Sequence, residues 1–119
     1  MIRAIVENDK MRPHVGSEYS AGADLRVPYD IMLKPGETKM VGTGVKLEIP
    51  VGYVGLVIPR SSLGEVRVGI ANTVGVIDSD YRGEIKMRLE NRGNETQLFY
   101  QYDRVVQIVI VPHLEPKFI

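Results

Sequence analysis

The sequence contains no cysteine among its 119 residues, so disulfides, thiolate catalysis and cysteine-ligated zinc are all excluded. Its two histidines, His14 and His113, have no further ligand residues at metal-binding spacing, and each is expected to be an ordinary surface or strand residue. Fifteen Lys and Arg residues balance fifteen Asp and Glu residues. Because the net charge is zero, no overall field attracts nucleic acid or an anionic membrane, and any polyanion must be bound by a local cluster.

The sequence also has no hydrophobic run long enough to span a membrane. The first ten residues include Arg3, Glu7, Asp9 and Lys10, so they do not resemble a signal peptide. These absences favour a soluble, cytoplasmic protein without membrane or nucleic-acid partners. A chain of this length suits one hydrophobic core but not two, which predicts a single domain over residues 1–119.

Proline and glycine recur at short intervals with β-rich runs between them, which predicts an all-β sandwich or barrel. The clearest strand is 84–90, in which Ile85, Met87 and Leu89 alternate with charged residues. This period of two places the apolar side chains on one face of a strand. Further strands are expected at 31–33, 39–41, 52–58, 97–100 and 105–111, with turns at 34–37 and 91–94. The second turn is predicted to close a hairpin between 84–90 and 97–100.

One polar residue interrupts an otherwise apolar strand. Gln107 lies within Val105–Val111, a run predicted to be buried on both faces. An unsatisfied buried amide costs about 1–3 kcal/mol, so this side chain needs a partner. Gln107 is therefore either a core hydrogen-bonding residue or a ligand contact, and the residues alone leave both interpretations open.

Common nucleotide and metal motifs are excluded. Gly42-Thr43-Gly44 lacks the third glycine of a dinucleotide fingerprint, and no Gly-Lys-Ser/Thr segment forms a P-loop. Asp78-Ser79-Asp80 begins like a calcium loop, but Arg82 occupies the position of the next oxygen ligand. A phosphate or metal site must therefore be built differently.

Polar clusters remain at the ends of the predicted strands. Arg60, Ser61 and Ser62 follow the strand that ends at Pro59. A guanidinium, two hydroxyls and the free N–H groups of a short helical turn would suit a phosphate. The alternative is a helical turn with serine N-caps beside a surface arginine.

A second cluster lies in residues 75–84 and contains Asp78, Asp80, Tyr81 and Arg82. An ionised aspartate can polarise a water molecule for attack, but aspartate and glycine are also usual in hairpin turns. Asp24, in the segment AGADL, has the alternative of a purely structural role in a short loop.

Taken in order, four segments resemble motifs one to four of the trimeric dUTP pyrophosphatase (dUTPase) family. They are AGADL at 21–25, PRSSLG at 59–64, NTVGVIDSDYRGE at 72–84 and YDRVVQ at 102–107. The resemblance spans nearly the whole chain, and the third motif is long and specific. It implies a jelly-roll-like β-barrel, a homotrimer with active sites between subunits, and Mg²⁺-dependent hydrolysis of dUTP to dUMP and pyrophosphate.

By this resemblance, the third motif carries the chemistry and the recognition of the base. Asp78 matches the catalytic aspartate that holds and activates the water attacking the α-phosphorus. Tyr81 matches the aromatic residue that packs against the deoxyribose and excludes a 2′-hydroxyl. Asn72 and the backbone around Gly75 to Ile77 match the hairpin that binds uracil.

The other three motifs are matched to the phosphates and the metal. Asp24 matches an aspartate that contacts hydrated Mg²⁺ through water, and Asp103 with Arg104 matches a pair whose role is partly structural. Mg²⁺ keeps much of its water and binds through phosphates, which fits a sequence without a His or Cys cluster. The residues matched to phosphate contacts are Arg60, Ser61, Ser62 and Gln107.

The sequence departs from the family pattern in two places. The fifth motif, a glycine-rich arm with an arginine and an aromatic residue that closes over the nucleotide, does not occur in the 119 residues, which end with Pro116-Lys117-Phe118-Ile119. An arm removed from the chain, a slow enzyme without it, and substitution by Phe118 are all open explanations. Tyr102 stands where the family usually has glycine, so this loop is expected to be arranged differently.

Two alternative functions fit parts of the same pattern. A dCTP deaminase of the same superfamily shares the Arg-Ser-Ser-Leu segment, and Glu90 lies near the position of its catalytic glutamate. A non-enzymatic regulatory trimer on a dUTPase scaffold would keep the pocket without the arm. The segment around Asp78 and Tyr81 favours the pyrophosphatase.

Overall fold

The computed structural model describes all residues, Met1–Ile119, and β-strands predominate as predicted. One short helix and one 3₁₀ turn accompany twelve strands. The helix, of five residues, is far shorter than a helical membrane span. The elements are β1 (Arg3–Val6), the 3₁₀ turn (Asp9–Met11), β2 (His14–Val15), β3 (Gly22–Arg26), β4 (Ile31–Leu33), β5 (Thr38–Gly42), β6 (Val45–Glu48), β7 (Tyr53–Pro59), α1 (Ser61–Glu65), β8 (Val68–Ile70), β9 (Gly75–Ile77), β10 (Lys86–Asn91), β11 (Gln97–Phe99) and β12 (Arg104–Pro112).

The strands form one large sheet, one smaller sheet and two ribbons, and every paired strand is antiparallel. The large sheet has the order β2-β3-β12-β7-β9, and the smaller has the order β5-β10-β8. The ribbons are β1-β6 and β4-β11. A single cluster of 18 buried hydrophobic residues draws side chains from both sheets, including Leu25 and Val106 from the large sheet and Met87 from the small one. The core therefore lies between sheets, as in a sandwich or barrel.

Strand β10 confirms the predicted alternation. Ile85, Met87 and Leu89 are almost completely buried, whereas Lys86 and Arg88 are exposed. Burying a side chain such as leucine contributes roughly 1.5–3 kcal/mol, so the pattern determines which face of β10 packs inward.

Strand β12 departs from its prediction. Val105, Val106 and Ile108 are buried, but Val109 to Val111 are partly exposed. The strand is therefore buried on both faces only over its first part, because it lies between β3 and β7 there and extends past β3 towards its carboxyl end.

The predicted hairpin between β10 and β11 is wrong. Strand β11 pairs with β4, and β10 pairs with β5 and β8. The physical reason is Asn91, which is fully buried and whose Nδ2 donates to the carbonyl oxygens of Leu33 (2.9 Å) and Glu95 (2.8 Å). These bonds turn the chain from one sheet towards β4. The other predicted turn, at 34–37, is confirmed by a bond from Glu37 N to Lys34 O (2.9 Å) and by a positive φ at Gly36.

Candidate functional site

Three of the four polar segments meet on the large sheet. Asp24 lies in β3, Arg104 begins the neighbouring β12, and Arg60 directly follows β7 on the other side of β12. Arg60 Nε lies 3.3 Å from Asp24 Oδ1, and Arg104 Nη1 lies 3.4 Å from Asp24 Oδ2. Arg60 Nη1 also donates to the carbonyl oxygen of Arg104 at 3.1 Å. We call Asp24, Arg60 and Arg104 the arginine cluster. It carries two positive charges against one negative charge, which suits an anion.

Gln107 lies beside this cluster. It faces Asp24 across the β3–β12 ladder and Ile58 across the β7–β12 ladder. Its amide covers Gly22, where an added Cβ would come within 2.3 Å of Gln107 Oε1. The Gln107 side chain is only partly buried, and its amide makes no hydrogen bond within the chain. This geometry favours the ligand contact over the core hydrogen-bonding interpretation.

The two serines of the second motif are in the first turn of α1. The expectation that they serve as N-caps is wrong, because Arg60 is the N-cap residue and its side chain makes no capping bond. Ser61 and Ser62 are exposed, and the first N–H groups of a helix have no partner within it. Both serines follow Arg60 directly in the chain, and their hydroxyls form no hydrogen bond within the protein.

Asp78 follows β9 at the edge of the large sheet. Its side chain is exposed and forms no ion pair or hydrogen bond with the rest of the chain, while its carbonyl oxygen accepts from Tyr81 N at 3.1 Å. The carboxylate does not point into the packed interior. It is free to hold a water molecule.

The side chain of Tyr81 folds onto the residues that directly follow it, Gly83 and Glu84. Its hydroxyl donates to the carbonyl oxygen of Glu84 at 2.6 Å. A Cβ added to Gly83 would lie 2.7 Å from that hydroxyl oxygen, so only glycine leaves room for this position of the ring. Tyr81 remains 41% exposed, which leaves ring surface for a ligand.

The segment expected to bind uracil contains a tight turn that leads into β9. Strands β8 and β9 flank it but belong to different sheets, and β9 pairs with β7 instead. Between them a tight turn has a bond from Val74 N to Asn72 O (2.7 Å) and a positive φ at Thr73. Gly75 packs its backbone against Val57 of β7, and the assignment of this segment to uracil stays a prediction.

Asn72 nevertheless borders open space. It lines a hollow of about 350 Å³ on the small sheet, together with Met40, Ala71, Lys86 and Arg88. Strand β9 is also the outermost strand of the large sheet, so the N–H and C=O groups on its free edge have no strand partner. Gly75 to Ile77 can therefore offer backbone groups to a ligand.

Asp78 and the arginine cluster are far apart within one chain. Ile77 faces Gly55 near the start of β7, whereas Arg60 follows the end of that strand. Asp78 therefore lies alongside the part of β7 that is about six residues before Arg60. At about 3.3 Å per residue in a strand, this separation amounts to roughly 20 Å. The structure therefore joins motifs one, two and four, and holds the Asp78 end of motif three apart from them.

One anchoring residue was missed from the sequence. Glu84 Oε2 accepts a hydrogen bond from Gly44 N at 2.9 Å, and its carboxylate covers Gly42 so closely that an added Cβ would lie 2.4 Å from it. Buried Thr43 donates to Ile85 O at 2.7 Å in the same turn. These contacts fix the end of the loop that carries Asp78. The available signal in the sequence was the pair of glycines at positions 42 and 44.

The arginine cluster can accommodate a hydrated cation with its phosphates. Each oxygen of Asp24 has one guanidinium partner, and a carboxylate has about four lone-pair positions, so acceptor capacity remains for metal-bound water. Mg²⁺ binds proteins through one or two carboxylates, phosphates and retained water. The donor set therefore fits a magnesium ion held through water.

The fold is an antiparallel β-barrel whose large sheet carries the arginine cluster. The sequence profile of the dUTPase family matches residues 8–119, and the chain belongs to that family of enzymes. It is 47% identical to the deoxyuridine 5′-triphosphate nucleotidohydrolase of Escherichia phage T5 over 95% of this chain and 81% of the phage protein. It is 48% identical to the corresponding protein of Anaeromyxobacter over 84% of this chain and 69% of that one.

Solved structures agree with this membership. The dUTPase from Streptococcus mutans superposes with a TM-score of 0.87 at 30% identity, covering 98% of both chains. The dUTPase of Staphylococcus aureus phage phi11 superposes with a TM-score of 0.90 at 23% identity, covering 99% of this chain and 94% of that one. The predicted family and the jelly-roll-like β fold are confirmed.

Proposed function

We propose that this enzyme hydrolyses dUTP to dUMP and pyrophosphate, with Asp78 orienting the attacking water. The observation that carries the proposal is the convergence of Asp24, Arg60 and Arg104 from three separate segments that match the family's phosphate and metal motifs. Family membership and the names of the related proteins support the substrate.

In the proposed reaction, the oxygen of water bonds to the α-phosphorus as the bond from that phosphorus to the bridging oxygen of pyrophosphate breaks. Asp78 accepts a hydrogen bond from the water and takes its proton, which then passes to solvent. The exposed, unpaired state of this carboxylate supports the role, since no other side chain competes for its oxygens. Catalysis then depends on aligning the water and stabilising charge on the transferring group.

The arginine cluster would bind phosphate groups of the substrate. Arg60 donates charged N–H groups, Ser61 and Ser62 add hydroxyls, and Gln107 adds an amide beside Asp24. Asp24 would hold Mg²⁺ through water. When bound, this ion neutralises phosphate charge and fixes the conformation of the triphosphate.

Recognition of the base would use backbone groups. Uracil presents a carbonyl acceptor and an N3–H donor, where cytosine presents an amino donor and an N3 acceptor. The free edge of β9 at Gly75 to Ile77, with Asn72 before it, could match only one of these patterns. Two mispaired buried groups cost about 2–6 kcal/mol, which corresponds to roughly 30-fold to 10⁴-fold discrimination against dCTP. Tyr81 would pack on the deoxyribose and exclude a 2′-hydroxyl.

A complete site would need more than one chain. The distance between Asp78 and Arg60 along β7 is too large for both to act on one α-phosphate within a single copy. We therefore propose a homotrimer in which one copy contributes Asp78 and another contributes the arginine cluster. Light scattering that reports a monomer would contradict this assembly.

The test is pyrophosphate release from dUTP with Mg²⁺ in the unmodified protein and the Asp78→Asn variant. We expect the variant to lose nearly all turnover and to retain dUTP binding, because the amide keeps the shape but cannot take a proton. Asp80→Asn is the matched control, since Asp80 is also exposed and lies two residues away. Equal rates for the unmodified protein and Asp78→Asn would remove Asp78 from its role. Ammonia release from dCTP would indicate the deaminase instead.

A further inference from the structure

A second basic hollow adjoins the arginine cluster. It has a volume of about 440 Å³ and opens between the 3₁₀ turn and the loop before β12. Three of its lining residues are cations and one is a carboxylate. The lining residues are Asp9, Lys10, Arg12, Pro13, His14, Arg26 and Tyr102.

The cations of this hollow are poorly neutralised. Arg26 makes no ion pair, donates from Nη1 to Tyr102 O at 2.9 Å, and has a buried Nε without any acceptor. Lys10 also has no carboxylate partner. The pairing of Arg12 with Asp9 is loose at 3.9 Å, and Asp9 is 98% exposed. In a chain with no net charge, three cations against one weakly held carboxylate form a local anion-attracting site.

Tyr102 holds an unusual backbone conformation at this hollow. Its φ of 72° lies in the left-handed region, which strains any residue with a Cβ. The conformation is held by bonds from Tyr102 N to Val27 O (2.8 Å) and from Arg26 to Tyr102 O. The ring lies beneath the Lys10 ammonium, 5.4 Å from nitrogen to ring centroid. The side chain thus gains a contact that orders Lys10 at a position where glycine would be unstrained.

The hollow is continuous with the arginine cluster along the sheet. His14 faces Asp24 across the β2–β3 ladder, and Arg26 faces Arg104 across the β3–β12 ladder. Two arginines directly opposite each other repel unless an anion or a carboxylate lies between them. Asp24 pairs with Arg104 but not with Arg26. An anion bound in the hollow would therefore neutralise the cation that Asp24 leaves unpaired.

We propose that this hollow binds a diphosphate group through Lys10, Arg12 and Arg26, with Tyr102 holding Lys10 in place. A diphosphate carries enough charge for three cations, and its length allows it to continue from the phosphates on the arginine cluster. The group could be the two terminal phosphates of a bound triphosphate or free pyrophosphate. The binding itself does not depend on turnover, whereas the source of the diphosphate rests on the proposed hydrolysis of dUTP.

Calorimetry with inorganic pyrophosphate on the Asp78→Asn protein tests the site without hydrolysis. Adding Lys10→Met and Arg12→Met should weaken pyrophosphate binding at least about tenfold, because two charge-assisted contacts are lost. Both residues are at the surface, so the fold should be retained, and a thermal melt checks this. Lys34→Met is the control, since Lys34 lies at the other end of β4 from the Tyr102 loop and should change the affinity less than twofold.

The Tyr102→Gly variant separates the contribution of the ring from that of the backbone conformation. Glycine adopts the observed φ freely, so the variant should fold at least as well, yet bind pyrophosphate several-fold more weakly because Lys10 loses its platform. Pyrophosphate affinities equal to the control in both the double variant and Tyr102→Gly would overturn the proposal.

Two further ligands identify the source of the diphosphate. If a non-hydrolysable dUTP analogue also binds more weakly to the double variant while dUMP does not, the hollow holds the terminal phosphates. If only pyrophosphate is affected, the hollow holds the free anion. A protein that binds pyrophosphate in the hollow but never hydrolyses dUTP would refute the proposed function and leave the site intact.

Discussion

Arg60 and Asp24 form an ion pair, 3.3 Å from Nε to Oδ1, between the residue that follows β7 and the middle of β3. The two side chains are 30% and 16% exposed, so water screens the pair only in part. Arg104 approaches the other oxygen of Asp24. The carboxylate therefore positions both arginines, and its oxygens retain unused acceptor positions.

Replacing this carboxylate by its amide should affect both stability and catalysis. In Asp24→Asn, the two guanidiniums lose their counter-charge, and we expect the free energy of unfolding to fall by roughly 1–2 kcal/mol. Hydrolysis of dUTP should fall more than about tenfold, and a higher Mg²⁺ concentration should be needed for half-maximal rate. Urea denaturation and a magnesium titration of the rate measure the two effects. Glu48→Gln, which removes an exposed carboxylate that forms no ion pair, should leave both unchanged.

Gly83 should control the position of Tyr81. In Gly83→Ala the new Cβ would come within 2.8 Å of the ring carbon that bears the hydroxyl, so the ring must move and lose its bond to Glu84 O. If Tyr81 excludes a 2′-hydroxyl, the ratio of kcat/KM for dUTP over UTP should fall by about tenfold. Gly16→Ala, where the nearest atom is 3.7 Å away, is the control. An unchanged ratio in Gly83→Ala would show that the observed position of Tyr81 does not set sugar selectivity.

Asn91 should be among the polar residues on which the fold most depends. It is fully buried, donates two hydrogen bonds through Nδ2 and accepts one from Gly93 N at 2.9 Å. Truncation in Asn91→Ala leaves buried carbonyl groups without donors, and we expect a loss of about 3 kcal/mol in the free energy of unfolding. Asn94→Ala, an exposed asparagine in the same loop, should change stability by less than about 0.5 kcal/mol. Similar denaturation midpoints for the two variants would contradict this role.

The sequence predicted the faces of strands better than their partners. The alternation at Ile85, Met87 and Leu89 depends only on the period of a strand, and the structure buries all three. The pairing of β11 with β4 could not be derived in this way, because it depends on the buried side chain of Asn91 bonding to Leu33 far away in the sequence. A segment that closes a hairpin and a segment in which a buried asparagine redirects the chain have the same local composition, so the sequence does not distinguish them.

For the site, the sequence indicated which types of residue take part, but it did not indicate how these residues are arranged in space. Arg60 and Asp24 were each ambiguous alone, and only the family resemblance grouped them; the ion pair now gives the physical basis of that grouping. The N-cap interpretation of Ser61 and Ser62 failed because helix boundaries shift by a residue without a clear signal in the sequence. The roles assigned to Asp78, Tyr81, Asn72 and the phosphate-contacting residues stay predictions.

The distance between Asp78 and Arg60 allows a direct test of sites shared between copies. Asp78→Asn and Arg60→Ala should each be inactive alone, but a copy with the first change keeps an intact arginine cluster, and a copy with the second keeps Asp78. If each site combines Asp78 of one copy with Arg60 of another, randomly mixed oligomers should regain about a quarter of the sites, since each of the two requirements is met half the time. Two affinity tags allow mixed oligomers to be purified before dUTP hydrolysis is measured. Purification removes the unmixed oligomers, so the expected share of restored sites in mixed trimers rises to about one third. The control mixture combines the Asp78→Asn variant with a second variant that carries both Arg60→Ala and Asp78→Asn. This mixture should regain no activity, because no copy then supplies the carboxylate. Mixed oligomers that remain inactive would place both residues of each working site in a single chain, which the extended β7 between them does not allow without a large rearrangement.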